Sequence, residues 1–290
     1  MTGQCFAPFD HPDAAPTAGR TPMPYEAELE AAAAAARAAG ALVLAAYATF
    51  EAIPDARADI TTDADRAAQE SILRELRRRF PGDAFCAEEE TPTLASGPKD
   101  GPRLWIVDPI DGTRGFAQKN GEFSVMVAFV DRDRAVVGVV YEPAHGRLTR
   151  AVRGGGCWRE DGSAAPVACR VSTTADLAAA TLTQSRSKPN TVSRAVEVLQ
   201  PAKVIETHSA GIKLALVARG EADLYVNRYD AFHDWDIAAG HILVEEAGGK
   251  VTGLRGEPIH YGSPEAWQRS RLLASNGTIH AAAQAKCQSV

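Results

Sequence analysis

The segment Leu104–Thr113 constrains the fold more than any other part of this chain. Its apolar run, Leu104 to Val107, is followed at once by Asp-Pro-Ile-Asp-Gly-Thr, so two carboxylates three positions apart flank a proline. An apolar run of this length that meets Pro and Gly is typical of a buried strand that enters a turn. The pattern therefore predicts a strand that ends at the mouth of a cleft and delivers Asp108 and Asp111 to it.

Two carboxylates placed this close together need a cation beside them. Their mutual repulsion raises the pKa of one of them unless a positive charge intervenes. Mg²⁺ prefers hard oxygen donors of this kind, and a free backbone carbonyl at such a corner adds another. The Gly-Thr-Arg that follows can open a helix, whose first N–H groups bind anions. A metal site beside an anion site indicates the hydrolysis of a phosphate ester.

Length and composition are those of an ordinary globular protein. With 290 residues, of which 45% are hydrophobic and 23% charged, the chain can bury a substantial core in one large domain or two modest ones. A net charge of −6 argues against a nucleic-acid polymer as a partner. Five cysteines without a C-x-x-C pair argue against a disulfide framework or a zinc knuckle and favour a reducing compartment.

Neither a signal peptide nor a transmembrane segment is expected. The N-terminal residues lack a basic start followed by an apolar core, and the Ala-rich stretch Ala27–Tyr47 is interrupted by Glu, Arg and Gly. We therefore expect a cytoplasmic protein. Residues 1–23, rich in Pro, Ala, Gly and Thr, predict a disordered tail.

Helix and strand signals divide the remaining chain into two halves, residues 24–170 and 171–290, that share one cleft. Hydrophobic periodicity and caps predict helices at 24–50, 62–80, 190–199, 209–219 and 236–247. Short apolar runs predict strands at 84–87, 104–107, 123–130, 135–141, 148–152, 180–184 and 222–226. The order of these elements predicts a layered α+β fold.

Three further acidic positions adjoin apolar runs, and each has two interpretations. Asp65 lies on the first turn of a helix, where a carboxylate complements the helix dipole. Glu88 begins a charge run that is typical of a solvated loop. Asp236 fits the N-cap of its helix. Each of the three could instead supply a carboxylate to the cleft that holds Asp108 and Asp111.

Several of these segments resemble a known family. Asp108–Phe116 (DPIDGTRGF) resembles the first signature of the inositol monophosphatase-like, Mg²⁺-dependent, lithium-sensitive phosphatases, and Trp235–Gly249 resembles the second. Glu88-Glu89, which begins twenty residues before Asp108, and Asp65 also fit the family pattern. The resemblance covers roughly residues 25–280 and implies an α/β/α/β/α layered sandwich.

The resemblance also implies the site residues. Two or three Mg²⁺ ions would be bound by Glu88, Asp108, Asp111, Asp236 and the carbonyl oxygen of Ile110. Thr113 would orient the nucleophilic water next to Glu88, and Asp65 would hold the Thr113 hydroxyl. The N–H groups of Gly112 and Thr113 would hold the phosphate, and the substrate would also contact Ile110, Asp111 and Asp236. A homodimer would resemble much of the superfamily.

Four segments favour one branch of the superfamily, the bacterial 3′(2′),5′-bisphosphate nucleotidases. They are Lys119–Val125, Gly138–Pro143, Ser185–Ser187 and Gly256–Tyr261. The implied substrate is 3′-phosphoadenosine 5′-phosphate, cleaved to AMP and phosphate. Its second phosphate needs cations outside the metal site, and Lys213 and Arg228 are the candidates. The alternative is that both are solvated surface cations.

Other functions stay open at this point. Gly115 stands where the nucleotidases usually have Glu, and Ser209-Ala210-Gly211 lacks part of their serine pattern. These departures leave inositol 1-phosphate and histidinol phosphate as alternative substrates. A catalytically inactive anion-binding regulator that kept the fold is the alternative from a different class.

Overall fold

The computed structural model describes residues 23–57, 60–186 and 191–288. The predicted N-terminal tail lies outside the described residues except for Met23, whose side chain packs against the core. The helices are α1 Glu26–Thr49, α2 Asp63–Arg79, α3 Pro92–Ala95, α4 Thr113–Ala117, α5 Arg194–Leu199, α6 Ala210–Ala218, α7 Ala238–Glu246 and α8 His280–Gln288.

Most of the described strands belong to two sheets. The larger sheet has seven strands in chain order, β1 Ala84–Ala87, β2 Arg103–Asp111, β3 Ser124–Asp131, β4 Arg134–Glu142, β5 Arg147–Val152, β6 Gly156–Asp161 and β7 Val167–Ala168. The strands β8 Thr181–Gln184, β9 Lys203–Glu206, β10 Leu224–Asn227, β11 Phe232–His233, β12 Lys250–Thr252, β13 Trp267–Gln268 and β14 Leu272–Ser275 follow. The second sheet has the order β12-β14-β10-β8-β9, and β11 pairs with β13.

Helices and sheets alternate as five layers. Helices α1 and α2 pack on one face of the first sheet, α6 and α7 lie between the two sheets, and α5 and α8 cover the outer face of the second. Strand β3 shows why both faces of the first sheet are covered. Val125, Val127 and Phe129 join the core under α1, while the alternate residues Met126 and Ala128 join the core under α7. The layered α/β/α/β/α prediction is confirmed.

The composition of helix α1 alone would suggest a membrane-spanning segment, but part of this helix is packed inside the protein. By length and hydropathy, Glu26–Thr49 could cross a bilayer. Its alanines, among them Ala31, Ala35 and Ala39, are instead buried against α2 and the first sheet. The packing of a core helix accounts for the apolar composition of this segment.

The sequence placed β1 at its observed residues and the hairpin of β3 and β4 to within one residue. Three predicted boundaries are wrong. Strand β2 continues to Asp111 instead of ending at Val107. Helix α5 begins at Arg194, and its predicted start at Asn190 lies outside the described residues. Helix α7 begins at Ala238, because a 3₁₀ turn, Asp234–Asp236, precedes it.

We predict that Gly138→Ala destabilises the protein, because β4 and α7 are in backbone contact at this glycine. A Cβ at Gly138 would lie 2.3 Å from the carbonyl oxygen of Ala239 and 2.4 Å from Cγ2 of Ile242. The free energy of unfolding should fall by about 1–3 kcal/mol, the usual cost of overpacking. Urea denaturation at an unchanged m-value measures it.

Gly82→Ala is the matched control, because a Cβ at Gly82 would have no atom within 4 Å. Its free energy of unfolding should stay within about 0.5 kcal/mol of the wild type. Equal stabilities of the two variants would show that α7 does not pack tightly on β4.

Candidate active site

Glu88 and Asp108 meet because β1 and β2 are parallel neighbours. The register pairs Ala87 with Val107, so the next residue of each strand is an acidic one at the same edge of the sheet. Glu88 lies in an exposed bend directly after β1 and also lines the cleft, so the two interpretations of this residue both hold.

An irregularity in β2 brings Asp111 to the same side as Asp108. Side chains three apart on a regular strand point to opposite faces. Here Asp108 is opposite Met126 of β3 and Asp111 is opposite Ser124, so β2 has two residues between these pairs where β3 has one. The extra residue in β2 turns the side chain of Asp111 to the face that Asp108 occupies. It also accommodates Pro109, which cannot donate a hydrogen bond to the neighbouring strand. Both carboxylates consequently line one cleft.

Asp111 also joins the first sheet to the start of α6. Its Oδ1 accepts the N–H of Ala210 at 3.0 Å, and its Oδ2 accepts the N–H of Gly211 at 2.6 Å. The hydroxyls of Ser209 and, at 3.2 Å, Ser124 donate to the same Oδ2. An anion at the N-terminus of a helix complements the helix dipole. Asp111 therefore holds the start of α6 against the first sheet through these hydrogen bonds and also lines the cleft.

Asp65 combines its two predicted roles in one carboxylate. Its Oδ2 accepts the N–H and the hydroxyl of Thr62, at 2.8 and 2.6 Å, in a capping box at the start of α2. Its Oδ1 lies 3.1 Å from the hydroxyl of Thr113, which is also 2.9 Å from the carbonyl oxygen of Ile110. Burial raises the pKa of Asp65. The contact between Asp65 and Thr113 that the resemblance implied is present.

Asp236 reaches the cleft from the C-terminal half of the chain. Its carboxylate accepts the N–H of His233 at 2.7 Å and closes the 3₁₀ turn before α7. Because the N-cap of α7 is Ile237, the interpretation of Asp236 as that cap is wrong. Asp236 instead lines the cleft with the acidic residues of β1 and β2.

The cleft has a volume of about 630 Å³ and contains eight of the predicted site residues. They are Glu88, Asp108, Ile110, Asp111, Gly112, Thr113, Lys213 and Asp236. Asp65 lies behind Thr113. Gly112 has a φ of 89°, and a Cβ there would lie 2.7 Å from the carbonyl oxygen of Glu122, so a larger residue would push the loop out of the cleft.

Burial and mutual repulsion raise the pKa values of three carboxylates. The pKa of Glu88 is raised to about 8, because its carboxyl group loses hydration in the cleft and lies near Asp236, Asp65 and Glu89. Burial and the charge of Asp111 raise the pKa of Asp236 to about 7. Burial and the charge of Glu88 raise the pKa of Asp108 well above its ordinary range. Without a bound cation, the negative charges of these carboxylates are therefore not compensated.

The donors of this cluster fit Mg²⁺. Oδ1 of Asp108 is buried and has no hydrogen-bond partner among the described residues. A buried carboxylate oxygen without a donor is costly unless a cation meets it. In the described part of the chain, no group of three or more His, Cys, Asp or Glu side chains is already arranged to hold a metal ion. Mg²⁺ usually keeps several waters, so it needs few protein carboxylates.

The two predicted cations have different positions. Lys213 is 1% exposed and lines the cleft, so its interpretation as a solvated surface cation is wrong. Its Nζ donates to the carbonyl oxygens of Thr207 and His208, at 3.0 and 3.1 Å, and burial lowers its pKa to about 8. Arg228 is absent from the wall of the acidic cleft and lines an adjoining cavity. That both cations contact the second phosphate of a substrate stays a prediction.

Two pairs at the site were not found from the sequence. Ser124 and Ser209 hold Asp111 from different elements, and their hydroxyls are 3.0 Å apart. Glu122 forms a two-pronged ion pair with Arg186 across the cleft and accepts the N–H of His208. Only the position of Ser209 before a helical pattern gave a signal, as an N-cap. Ser124 lies 13 positions from Asp111, and the remaining contacts join residues 64 or more positions apart.

The chain is similar to several curated bacterial proteins. It is 33% identical to the inositol-1-monophosphatase of Synechocystis sp. over 271 residues, which cover 90% of this chain and 88% of the relative. It is 34% identical to the 3′(2′),5′-bisphosphate nucleotidase CysQ of Escherichia coli over 209 residues, 71% and 81% of the two chains. It is 35% identical to the Nus factor SuhB of Pasteurella multocida, over 68% of this chain and 73% of the relative.

Solved structures show the same architecture. The inositol monophosphatase of Anabaena sp. matches 92% of this chain and 98% of its own, with a TM-score of 0.75 and 30% identity. The SuhB protein of Bartonella henselae matches 91% and 99%, with a TM-score of 0.76 and 26% identity. The profile of the inositol monophosphatase family matches residues 25–290. This chain therefore belongs to the inositol monophosphatase family.

Proposed function

We propose that the protein is a Mg²⁺-dependent phosphomonoesterase that hydrolyses the 3′-phosphate of 3′-phosphoadenosine 5′-phosphate to AMP and phosphate. The buried carboxylate cluster with the partnerless Oδ1 of Asp108 carries the metal-dependent part of this proposal. Family membership supports a phosphatase, and the family is in general dependent on Mg²⁺. We place the reaction in the cytoplasm, where a reduced chain with free cysteines is stable.

In this proposal, two or three Mg²⁺ ions are held by Glu88, Asp108, Asp111, Asp236 and the carbonyl oxygen of Ile110. When bound, Mg²⁺ polarises phosphoryl oxygens and increases the acidity of water. The carbonyl oxygen of Ile110 has a second lone pair for a cation beside the one that faces Thr113.

Thr113 and Asp65 position the attacking water. A hydroxyl has one proton and two lone pairs, so a Thr113 hydroxyl that donates to Asp65 keeps lone pairs for a water in the cleft. Glu88, on the neighbouring strand end, accepts the other hydrogen of this water. The N–H groups of Gly112 and Thr113, at the start of α4, hold the phosphate.

Residues outside the carboxylate cluster support a nucleotide as the substrate. Ser185 and Arg186, from the segment that resembles the nucleotidases, line the same cleft as Asp108. Lys213 also faces it from α6. The similarity to CysQ of Escherichia coli agrees with this substrate. Inositol 1-phosphate and histidinol phosphate are the alternatives, since relatives in this family differ in the substrate for which they are named.

The substrate can be tested by measuring phosphate release with Mg²⁺ from adenosine 3′,5′-bisphosphate, inositol 1-phosphate and histidinol phosphate in parallel. We expect the nucleotide to have the highest kcat/KM, and EDTA to abolish release from it. A higher kcat/KM for either other ester would contradict the substrate proposal and leave the phosphatase proposal in place.

Asp108→Asn should remove activity and stabilise the metal-free fold. The substitution removes one charge from a crowded, buried cluster in which Oδ1 of Asp108 has no partner. We expect kcat/KM to fall at least about 100-fold. The free energy of unfolding in EDTA should rise, because the amide carries none of the negative charge that burial and Glu88 disfavour at this position.

Asp111→Asn is the matched comparison, because this carboxylate accepts hydrogen bonds from the start of α6. An amide nitrogen there would face N–H donors, so stability should fall by about 1–3 kcal/mol together with activity. Full activity in either variant would exclude that residue as a metal ligand.

Mg²⁺ should stabilise the protein more strongly at high pH. The folded-state pKa values of Glu88, about 8, and Asp236, about 7, exceed their ordinary values, so the metal-free fold takes up protons and its stability falls as the pH rises through this range. Mg²⁺ competes with protons for these oxygens. The increase in Tm on adding Mg²⁺, measured by scanning calorimetry, should be larger at about pH 8.5 than at about pH 6. An equal or smaller increase would refute this assignment of the ligands.

A further inference from the structure

Two cysteines lie opposite each other at the far edge of the first sheet. Cys157 belongs to β6, and Cys169 directly follows β7. The register of these antiparallel strands pairs Trp158 with Ala168, so the next pair is Cys157 with Cys169. The N–H of Cys169 donates to the carbonyl oxygen of Cys157 at 2.8 Å. In a hydrogen-bonded pair of this kind the two Cα atoms are about 5.5 Å apart.

This arrangement fits the geometry of a disulfide. A disulfide needs Cα atoms about 4.4–6.8 Å apart and Cβ atoms on the same side of the two strands. Residues that face each other across neighbouring strands share one face of the sheet. Both Cys157 and Cys169 are buried, and both belong to the core under α7. The two sulfur atoms therefore lie on one face of the sheet, within reach of a covalent bond.

The other described cysteines lie elsewhere in the fold. Cys86 belongs to β1, at the opposite edge of the seven-stranded sheet, and Cys287 belongs to α8, on the outer face of the second sheet. All four described cysteines are free thiols, as expected in a reducing compartment. Among the described residues, Cys157 and Cys169 are thus the two thiols that the fold places together.

The edge of the sheet gives a small oxidant access to one of these thiols. Strand β7 is two residues long, both of its residues are exposed, and among the described strands it pairs with β6 alone. Short edge segments with few buried contacts open more easily than the core of a sheet. Cys169, 5% exposed, adjoins this edge, whereas Cys157 is fully buried. An oxidant therefore reaches Cys169 first.

The surroundings of the two thiols also differ in charge. Contact with the Cys157 thiol, followed by the charges of Arg219 and Arg159, lowers the pKa of Cys169. Contact with Cys169, followed by burial, raises the pKa of Cys157. The thiolate is the form that attacks an oxidant. The accessible thiol is thus also the more reactive one, and a second thiol stands beside it to resolve the product.

We propose that Cys157 and Cys169 are an oxidation site that forms a reversible disulfide with hydrogen peroxide. The sulfur of Cys169, as thiolate, attacks one peroxide oxygen and the O–O bond breaks. Cys169 becomes a sulfenic acid, and the departing hydroxide takes a proton and leaves as water. This site is independent of the proposed function, because neither sulfur lies in the acidic cleft.

The second step closes the bond. The sulfur of Cys157 attacks the sulfur of Cys169, the S–O bond breaks, and the departing hydroxide takes the proton of the Cys157 thiol to leave as a second water. In total the two thiols lose two electrons and two protons, and one peroxide is reduced to two waters. A dithiol reverses the reaction by thiol–disulfide exchange.

The bond would hold a segment that contacts the layer between the sheets. The N–H of Val171 donates to the carbonyl oxygen of Ala247, after α7, at 3.1 Å, and the carbonyl oxygen of Arg170 lies beside Gly220, after α6. Closing residues 157–169 into a loop also restricts the unfolded chain. The oxidised protein should therefore be more stable than the reduced one.

A tryptic map of the full-length protein tests the bond. Free thiols are alkylated in denaturant, without reductant, before and after treatment with hydrogen peroxide. Trypsin cleaves after Arg153, Arg159 and Arg170, so the two cysteines leave in separate peptides, 154–159 and 160–170. After peroxide we expect these two peptides linked, at their summed mass less two hydrogens, and separated again by dithiothreitol. A map without this linked pair would overturn the proposal.

Cys287 is the internal control, because it is as buried as Cys157 but belongs to a different element. It should remain fully alkylated after the same treatment. A disulfide that joins Cys157 or Cys169 to Cys287 instead would also overturn the proposal.

Single variants test the order of the two steps. In Cys157→Ser the reaction should stop at the sulfenic acid of Cys169, which dimedone traps as a stable adduct. In Cys169→Ser the adduct at Cys157 should reach at most about a tenth of that amount, because this thiol is buried and less acidic. A larger adduct at Cys157 would overturn the assignment of Cys169 as the attacking thiol.

Thermal unfolding measures the effect of the bond. The Tm of the oxidised wild type should exceed that of the reduced wild type by about 2 °C or more, as expected for a disulfide that closes a loop of this size. Peroxide should leave the Tm of Cys157→Ser unchanged. A smaller rise in the wild type would overturn the stabilising effect. The tryptic map of the wild type decides the bond itself even if a variant does not fold.

Discussion

Repulsion among buried carboxylates is the constraint around which this structure is organised. Glu88 at the edge of the cleft, the half-buried Asp236 and the buried Asp108 come together with raised pKa values, an arrangement that costs stability in the metal-free protein. It persists because separate interactions fix the surrounding backbone. The strand register fixes Glu88, a 3₁₀ turn fixes Asp236, and the start of α6 fixes Asp111. A cluster that is unfavourable by itself and held by so many independent elements is typical of a functional site.

These supports come from every layer near the cleft, so the site depends on the whole sandwich. Asp65 links the capping box of α2 to the hydroxyl of Thr113. Asp111 links the first sheet to α6, which packs on α7 between the two sheets. Loss of contact between β4 and α7 would therefore displace α6, whose first residues bind the carboxylate of Asp111 in the cleft. The two halves of the chain contribute to one site because α6 and α7, from the C-terminal half, pack on the first sheet, which belongs to the N-terminal half.

The sequence predicted the layered fold and seven of the fourteen described strands, because apolar alternation and caps are local signals. It also predicted that Asp65 meets Thr113, through the family resemblance. It failed at the end of β2, because the irregularity opposite Ser124 depends on pairing with another strand. It could not place Arg228, since a spacing along the chain does not tell which of two adjoining cavities a side chain faces. The ion pair of Arg186 with Glu122 joins distant residues and left no local pattern.

The charge of the cavity beside the acidic cleft differs from that of the cleft itself. A phosphate in the acidic cleft is tolerated only where a cation screens the carboxylates, whereas the adjoining cavity is lined by arginines, among them Arg114 and Arg228, and by no described Asp or Glu. Family membership describes the acidic end, because the relatives in this family differ in the substrates for which they are named. The choice among substrates in the proposed function therefore rests on residues outside the carboxylate cluster.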